Sequence, residues 1–381
     1  MTYIPGLEGV VAARTRLSYV DGQAGELFIG GFPVEVLAPH ATFEEAAHLL
    51  WHDRLPDAGE LRALHDRFVA ARALPGEVVD LLRAAAARNA SVIDALRMAA
   101  AALSLDDPDP QHNDPVNNLR RAESLCARFP VVVAAYWRIR QGLAPVDPRA
   151  DLDHAANCLY MLNGTAPDGE AARALETYFV TVIDHGMNAS TFTARVITST
   201  QSDLYSAITG AIGALKGPAH GGAPGPALDM VFEIGQLDKA EANIRGRLER
   251  GERLMGFGHR VYKVRDPRAD VLAAAADRLF ERAGDRALYD MARGVEAVAL
   301  RLLEEYKPGR KLQTNVEYYT AMVLHGVGLP TELFTPMFAI GRAGGWTAHC
   351  LEQWSDNRLI RPSSDYLGVK DRAWVPIDQR G

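Results

Sequence analysis

The stretch DGEAARALETYFVTVIDHGMNAST, residues 168–191, carries two patterns in succession. Leu175, Tyr178, Phe179, Val182 and Ile183 recur at helical spacing, so they form one apolar face that must turn to a core. After Ile183 the periodicity stops. Asp184, His185, Gly186, Met187, Asn188, Ala189, Ser190 and Thr191 form a polar string, as in a binding loop and unlike a packed helix. His185 also admits a plainer reading, as a capping histidine at a helix C-terminus.

The same helical period runs through most of the chain. Thr42 and Glu45 have capping-box spacing ahead of Ala46, Leu49 and Leu50. Ala-, Leu- and Arg-rich segments predict helices near 60–72, 77–87 and 91–104. LDDPDPQHNDPVNN, 105–118, reads as a helix connection or flexible surface segment with solvated charges. A long helix is expected over 118–141, kinked or divided at Pro130. Helix is expected to resume after the polar string to about Ala214, then over 227–250 and 268–283. In the 285–306 helix, Leu288, Met291, Val295, Val298 and Leu302 make a packing stripe. Only residues 7–32, around the turn-like Asp21-Gly22, are β-prone, and they predict a small hairpin. With no βαβ alternation and no internal repeat, the fold class is all-α with a small N-terminal β-hairpin.

Composition narrows the functional classes. The 381 residues suit about two domains, and 48% hydrophobic with 23% charged residues is ordinary for a globular protein. A net charge of −7 argues against a general nucleic-acid role, though not against a local basic pocket for a small anion. Neither a secretory leader nor a run of ~20 apolar residues is visible, so a cytoplasmic protein is expected. Cys126, Cys158 and Cys350 are widely spaced and form no CxxC pair, which argues against a disulfide framework or zinc site.

Three further stretches carry chemistry. In LKGPAHGGAPGPALDM, 215–230, His220 stands among Gly217, Gly221 and Gly222, where backbone approaches a ligand closely, and Pro226 suits a first helical turn. A histidine facing the positive end of a helix stays neutral and offers an N–H to a carbonyl oxygen gaining charge. The plain alternative is a glycine-rich loop with a bystander histidine. In GFGHRVYKVRDPRA, 256–269, His259 precedes Arg260, Lys263, Arg265 and Arg268, cations suited to anionic ligands or simply to a solvated face. In KLQTNVEYYTAMVLHGVGLP, 311–330, Glu317 sits among Val316, Tyr318 and Tyr319. A carboxylate in such a setting is either ion-paired or raised in pKa, as a general base requires.

Together with GLEGVVAARTRLSYVDG, TFEE, FAIGRAGGWTAHCLEQ and NRLIRP, these stretches resemble the citrate synthase family over essentially the whole chain. The resemblance implies a two-domain helical fold, with a large domain from residues 1–216 and 327–381 and a small domain from 217–326. It implies a homodimer whose partner chain completes each site. The implied activity is that of an acyltransferase which condenses acetyl-CoA with oxaloacetate and water, giving citrate and CoA, with no metal and no cofactor beyond the thioester substrate. Propionyl-CoA, as in 2-methylcitrate synthase, is the nearest alternative, since one methylene is worth only ~1–3 kcal/mol of discrimination. An acyl-CoA hydrolase and a non-catalytic regulatory homologue are more distant ones. By the same resemblance His220 stabilises the enol, His259 protonates the keto oxygen and Glu317 abstracts the proton. His185, Arg268 and Arg342 bind oxaloacetate, Arg361 reaches across from the other subunit, and Lys263 and Arg265 contact CoA phosphates. The chain departs from the commoner pattern in having Glu317 for Asp, Ile29-Gly30-Gly31 where an Arg often stands, and Pro224 for Asn.

Overall fold

The computed structural model describes residues 3–220 and 224–380. It opens with one antiparallel sheet of β1 (Ser18–Asp21), β2 (Glu26–Ile29) and β3 (Phe32–Pro33), in which Ser18 pairs with Ile29 and Asp21 with Glu26. The expected turn lies between β1 and β2, where Asp21 Oδ1 accepts the amides of Gln23 and Ala24.

All else that is regular is helical. The first group is α1 (Val34–Leu37), α2 (Phe43–His52), α3 (Ala58–Ala71), α4 (Gly76–Ala87), α5 (Val92–Ala102) and α6 (Pro115–Arg140). Next come α7 (His154–Asn163), α8 (Gly169–Val182), α9 (Ala189–Ser199) and α10 (Leu204–Leu215). The last are α11 (Pro224–Ile234), α12 (Ala240–Glu249), α13 (Pro267–Ala283), α14 (Ala287–Tyr306), α15 (Val316–Gly326) and α16 (Phe334–Ser355). Short polar side chains set many of these starts. Thr42, Asp57, Ser91, Asp114, Asp153, Asp168, Asn188, Asp203, Asp266 and Asn315 each accept a first-turn amide. Each such cap is worth about 1 kcal/mol over alanine. Thr42 and Glu45 form the expected reciprocal box.

Buried α16 is the packing axis, in contact with α2, α6, α8, α9 and α10. Its sequence GRAGG explains how close α8 can come. A Cβ at Gly345 would lie 2.1 Å from the carbonyl oxygen of Ile183, so any larger residue would push the end of α8 and the following loop away from Arg342. On the other side α13 packs against both α8 and α15.

Three expectations need refinement. Residues 105–114 do join two helices along the surface, with Asp106 and Asp109 exposed, but Asp107 is buried. The buried guanidinium of Arg121 pairs with Asp107 at 2.5 Å and donates to the carbonyls of His112 and Asp109 and to Asn118. Pro130 does not divide α6, because residues 129–136 are buried and their packing outweighs one lost backbone bond. The 227–250 segment is two helices, α11 and α12. Gly235 takes left-handed backbone after Ile234 and ends the first.

Candidate active site

Residues 184–188 leave α8 as a tight loop, with Gly186 at φ 57° and Asn188 capping α9. Buried Asp184 holds the loop's shape. Its Oδ2 accepts Ser18 Oγ–H at 2.5 Å and the Gly186 amide at 3.3 Å, while Oδ1 meets His349 Nε2 at 3.1 Å. His349 Nδ1 faces Arg195 Nη1 at 2.9 Å. A guanidinium only donates, so Nδ1 is bare and Nε2–H donates to Asp184. Burial opposes the Asp184 carboxylate, yet His349, Ser18 and the Arg342 charge hold its pKa below the ordinary value. Glu352 continues the chain by accepting from Arg195 and from the Arg16 amide. Sequence reasoning missed His349 and Arg195. One available signal was spacing, since His349 stands two helical turns after Arg342 on the same face of α16.

His185, His220, His259 and Glu317 are all half-buried, whereas Arg268 and Arg342 are buried. These six form one electrostatically coupled cluster, in which Arg342 acts on His185 and His220, and Arg268 on His185, His259, Glu317 and Arg342. His185 Nε2 lies 3.1 Å from Tyr262 Oη, and its ring centre is 5.7 Å from that of His259. Enclosure by protein, then the Arg268 and Arg342 charges, push its pKa well below 6.5 and keep it neutral.

The other two histidines reveal their tautomers. His259 Nδ1 accepts the amides of Val261 and Tyr262 at 3.1 and 3.2 Å, so its proton sits on Nε2. His220 Nε2 faces Ser190 Oγ at 2.8 Å and accepts the Ser190 amide at 3.3 Å, so its proton sits on Nδ1. Trp346 Nε1–H donates to the same Ser190 hydroxyl at 3.0 Å. Each imidazole is pushed down to about 4, by burial first and then by Arg342 for His220 and Arg268 for His259. Burial and the Arg342 guanidinium thus hold His220 neutral. Its neighbours Gly221 and Gly222 lie outside the described residues, while Pro226 falls in the first turn of α11.

The arginines are held differently. Arg268 forks onto Asp266 through Nε at 3.0 Å and Nη2 at 2.8 Å, above the Tyr262 ring. Arg342 Nε donates to the Val182 carbonyl and its guanidinium lies 4.7 Å from the Phe338 ring centre. Among the described residues Arg342 makes no ion pair, and burial pushes its pKa down to about 10. A buried guanidinium without a carboxylate partner suits an anionic ligand.

Glu317 stands in the first turn of α15, where Asn315 accepts its amide at 3.0 Å. Among the described residues its carboxyl oxygens accept no hydrogen bond. Burial raises its pKa to about 7, with Arg268 opposing and Asp266 assisting. The strand-like pairing of Phe257 with Thr314, and the bond from Asn315 Nδ2 to the Gly258 carbonyl at 2.7 Å, tie the His259 and Glu317 segments together.

The remaining candidates lie apart. Lys263 is exposed and donates to the Arg260 carbonyl at 3.2 Å. Arg265 already pairs with Asp270 at 2.5 Å and Glu296 at 2.7 Å. Arg361 is exposed in the C-terminal stretch, outside this chain's cleft.

Known proteins resemble the chain over nearly its whole length. The family model described as citrate synthase, C-terminal domain, matches residues 6–363. Citrate synthase of Haloferax volcanii is 44% identical, with 98% of each chain covered, and citrate synthase 2 of Bacillus subtilis is 43% identical over the whole of both. The crystal structure of citrate synthase from Pyrobaculum aerophilum superposes with a TM-score of 0.92 at 39% identity, covering 99% of this chain and 95% of that one. The Thermoplasma acidophilum citrate synthase ternary complex with carboxymethyl coenzyme A and oxaloacetate gives 0.90 at 31%, with 98% of each covered. With a family model across residues 6–363, relatives 43–44% identical over nearly the whole chain and a helical fold that superposes on solved citrate synthases, the chain belongs to the citrate synthase family.

Proposed function

We infer that this enzyme condenses acetyl-CoA with oxaloacetate and water, releasing citrate and CoA. The observation that carries this reading is a carboxyl poised near pH 7, Glu317, clustered with two neutral histidines of defined tautomer and a buried Arg342 that makes no ion pair among the described residues. Glu317 takes a proton from the thioester methyl, and His220 donates its Nδ1–H to the thioester oxygen as that oxygen gains charge. The enol carbon then forms a bond to the keto carbon of oxaloacetate, and His259 gives its Nε2 proton to the keto oxygen. Water finally cleaves the thioester, with CoA as leaving group. His185, Arg268 and Arg342 hold the oxaloacetate carboxylates and keto group. Planar guanidinium donors match carboxylates two bonds at a time.

Lys263 is the better placed of the two cations assigned to CoA phosphates, because Arg265 would have to give up Asp270 or Glu296. Residues 217–326 form the small domain, between the two parts of the large one. No helix among the described residues is long and apolar enough to cross a membrane, and we place the enzyme in the cytoplasm. The deciding experiment is CoA release from acetyl-CoA and from propionyl-CoA, each with and without oxaloacetate. Oxaloacetate-dependent release, faster from acetyl-CoA, is expected. Release independent of oxaloacetate overturns the reading in favour of hydrolysis. A preference for propionyl-CoA moves it to 2-methylcitrate synthesis, an activity named for relatives at 37–38% identity.

The active form is a homodimer. Residues 358–380 are almost wholly exposed and present Leu367, Trp374 and Ile377 at 92%, 83% and 75% exposure, apolar side chains suited to lie on a second copy. Arg361 begins this arm and enters the other subunit's cleft. Inactive Arg361→Ala mixed with inactive His220→Ala therefore regains part of the activity through hybrid dimers, which a CoA-release assay on the mixture detects. Hybrids that form without regaining activity place Arg361 outside the site.

A further inference from the structure

The segment between His259 and Arg268 has neither helix nor strand, and Arg260, Val261, Lys263 and Val264 are exposed. Such a segment does not hold two substrate-facing side chains in register by itself. Its backbone nevertheless meets the tip of the β1–β2 hairpin at several points. The Lys263 amide donates to the Gly22 carbonyl at 2.7 Å. A Cβ at Gly22 would stand 2.2 Å from the Val261 carbonyl oxygen and 2.6 Å from its carbon, and one at Gly25 would stand 2.7 Å from Val264 Cγ2 and 3.3 Å from the Arg265 oxygen. Two turn glycines thus give backbone-to-backbone contact with the segment. Gly22 is the more telling because its φ is not in the left-handed region, so alanine there meets no left-handed strain and its nearest obstacle is Val261. The same sheet leads into α1, which packs on α13, the helix that begins beside Arg268.

We propose that the β1–β2 turn positions the 259–268 segment, and that Gly22 is the positioning residue that lets the two backbones meet. The proposal rests on the reading of His259 and Arg268 as oxaloacetate-binding residues. Restoring an ordinary 3.4 Å contact around a new Cβ moves the segment by roughly an ångström. A displacement of ~1 Å at reacting groups can cost ~100-fold in rate.

The experiment compares Gly22→Ala, Gly22→Val and the exposed neighbour Gln23→Ala with the parent. It measures kcat and KM for oxaloacetate, melting temperature, and amide hydrogen exchange of residues 259–266. The expected result is a ~10- to 100-fold fall in kcat/KM for oxaloacetate in the Gly22 variants, with faster exchange in 259–266 and a melting temperature near the parent's. Gln23→Ala keeps parental values. Parental kinetics in Gly22→Val, or lost activity with unchanged exchange in 259–266, overturns the proposal. Exchange in the parent is the arm that needs no variant to fold: the Lys263 amide must be protected although its side chain is exposed, and free exchange there overturns the proposal as well. His259→Ala runs alongside. If it keeps full activity the reading of the site falls, and the Gly22 contact is then judged by exchange alone.

Discussion

Glu317→Gln abolishes proton abstraction while keeping the side chain's shape, and kcat for condensation falls by ~100- to 10,000-fold, the range that general acid–base groups contribute. Glu317→Asp is also slower. The carboxylate retreats by one C–C bond, ~1.5 Å, and a ~1 Å misplacement costs about 100-fold. The backbone of the NVE segment is tied to Gly256 and Gly258 by Asn315, so it cannot follow the shorter side chain inward. The pH dependence has a defined sign. A base must be deprotonated to act, and burial raises Glu317 to about 7, so kcat rises with pH through that region and levels off above it. A faster Asp variant, or a rate flat from pH 5.5 to 8, removes Glu317 from the role of base.

His220→Ala lowers kcat by ~100- to 1,000-fold, the loss expected for one donor to a developing oxyanion. His259→Ala lowers it by at least ~100-fold through loss of the general acid. The tautomers make a sharper expectation. The free donor of His220 is Nδ1–H, a position that an Asn amide nitrogen imitates, whereas that of His259 is Nε2–H, which Gln imitates. His220→Asn therefore retains more activity than His220→Gln, and His259→Gln more than His259→Asn. Measured kcat values in the reverse order would contradict the proton assignments.

Much of this was legible in the chain because it is local. A capping Thr announces a helix start within three residues, and Thr42 did so. The polar string after Ile183 marked the loop that presents His185. What the sequence hid depends on partners far along the chain. Asp107 looked like one more solvated acid because Arg121 is fourteen residues away, on the buried face of a helix. Arg265 looked like a free cation because Glu296 lies on a helix whose apolar stripe drew the attention. His349 reads as an ordinary residue of a packed helix until the turn of the chain after α8 brings Asp184 to it. The apolar neighbours of Glu317 suggested a raised carboxyl, but its isolation from hydrogen bonds is a property of the assembled cleft.

Arg342 carries one more consequence. Among the described residues its guanidinium makes no ion pair, so Asp184 stabilises its charge only from a distance while Arg268 opposes it. The folded chain thus keeps a guanidinium in a poorly hydrated place, where burial outweighs the help of Asp184. A dianion that binds only the native state stabilises it by mass action, so the melting temperature rises with oxaloacetate concentration. Oxaloacetate is in this sense a part of the folded structure that the sequence leaves out.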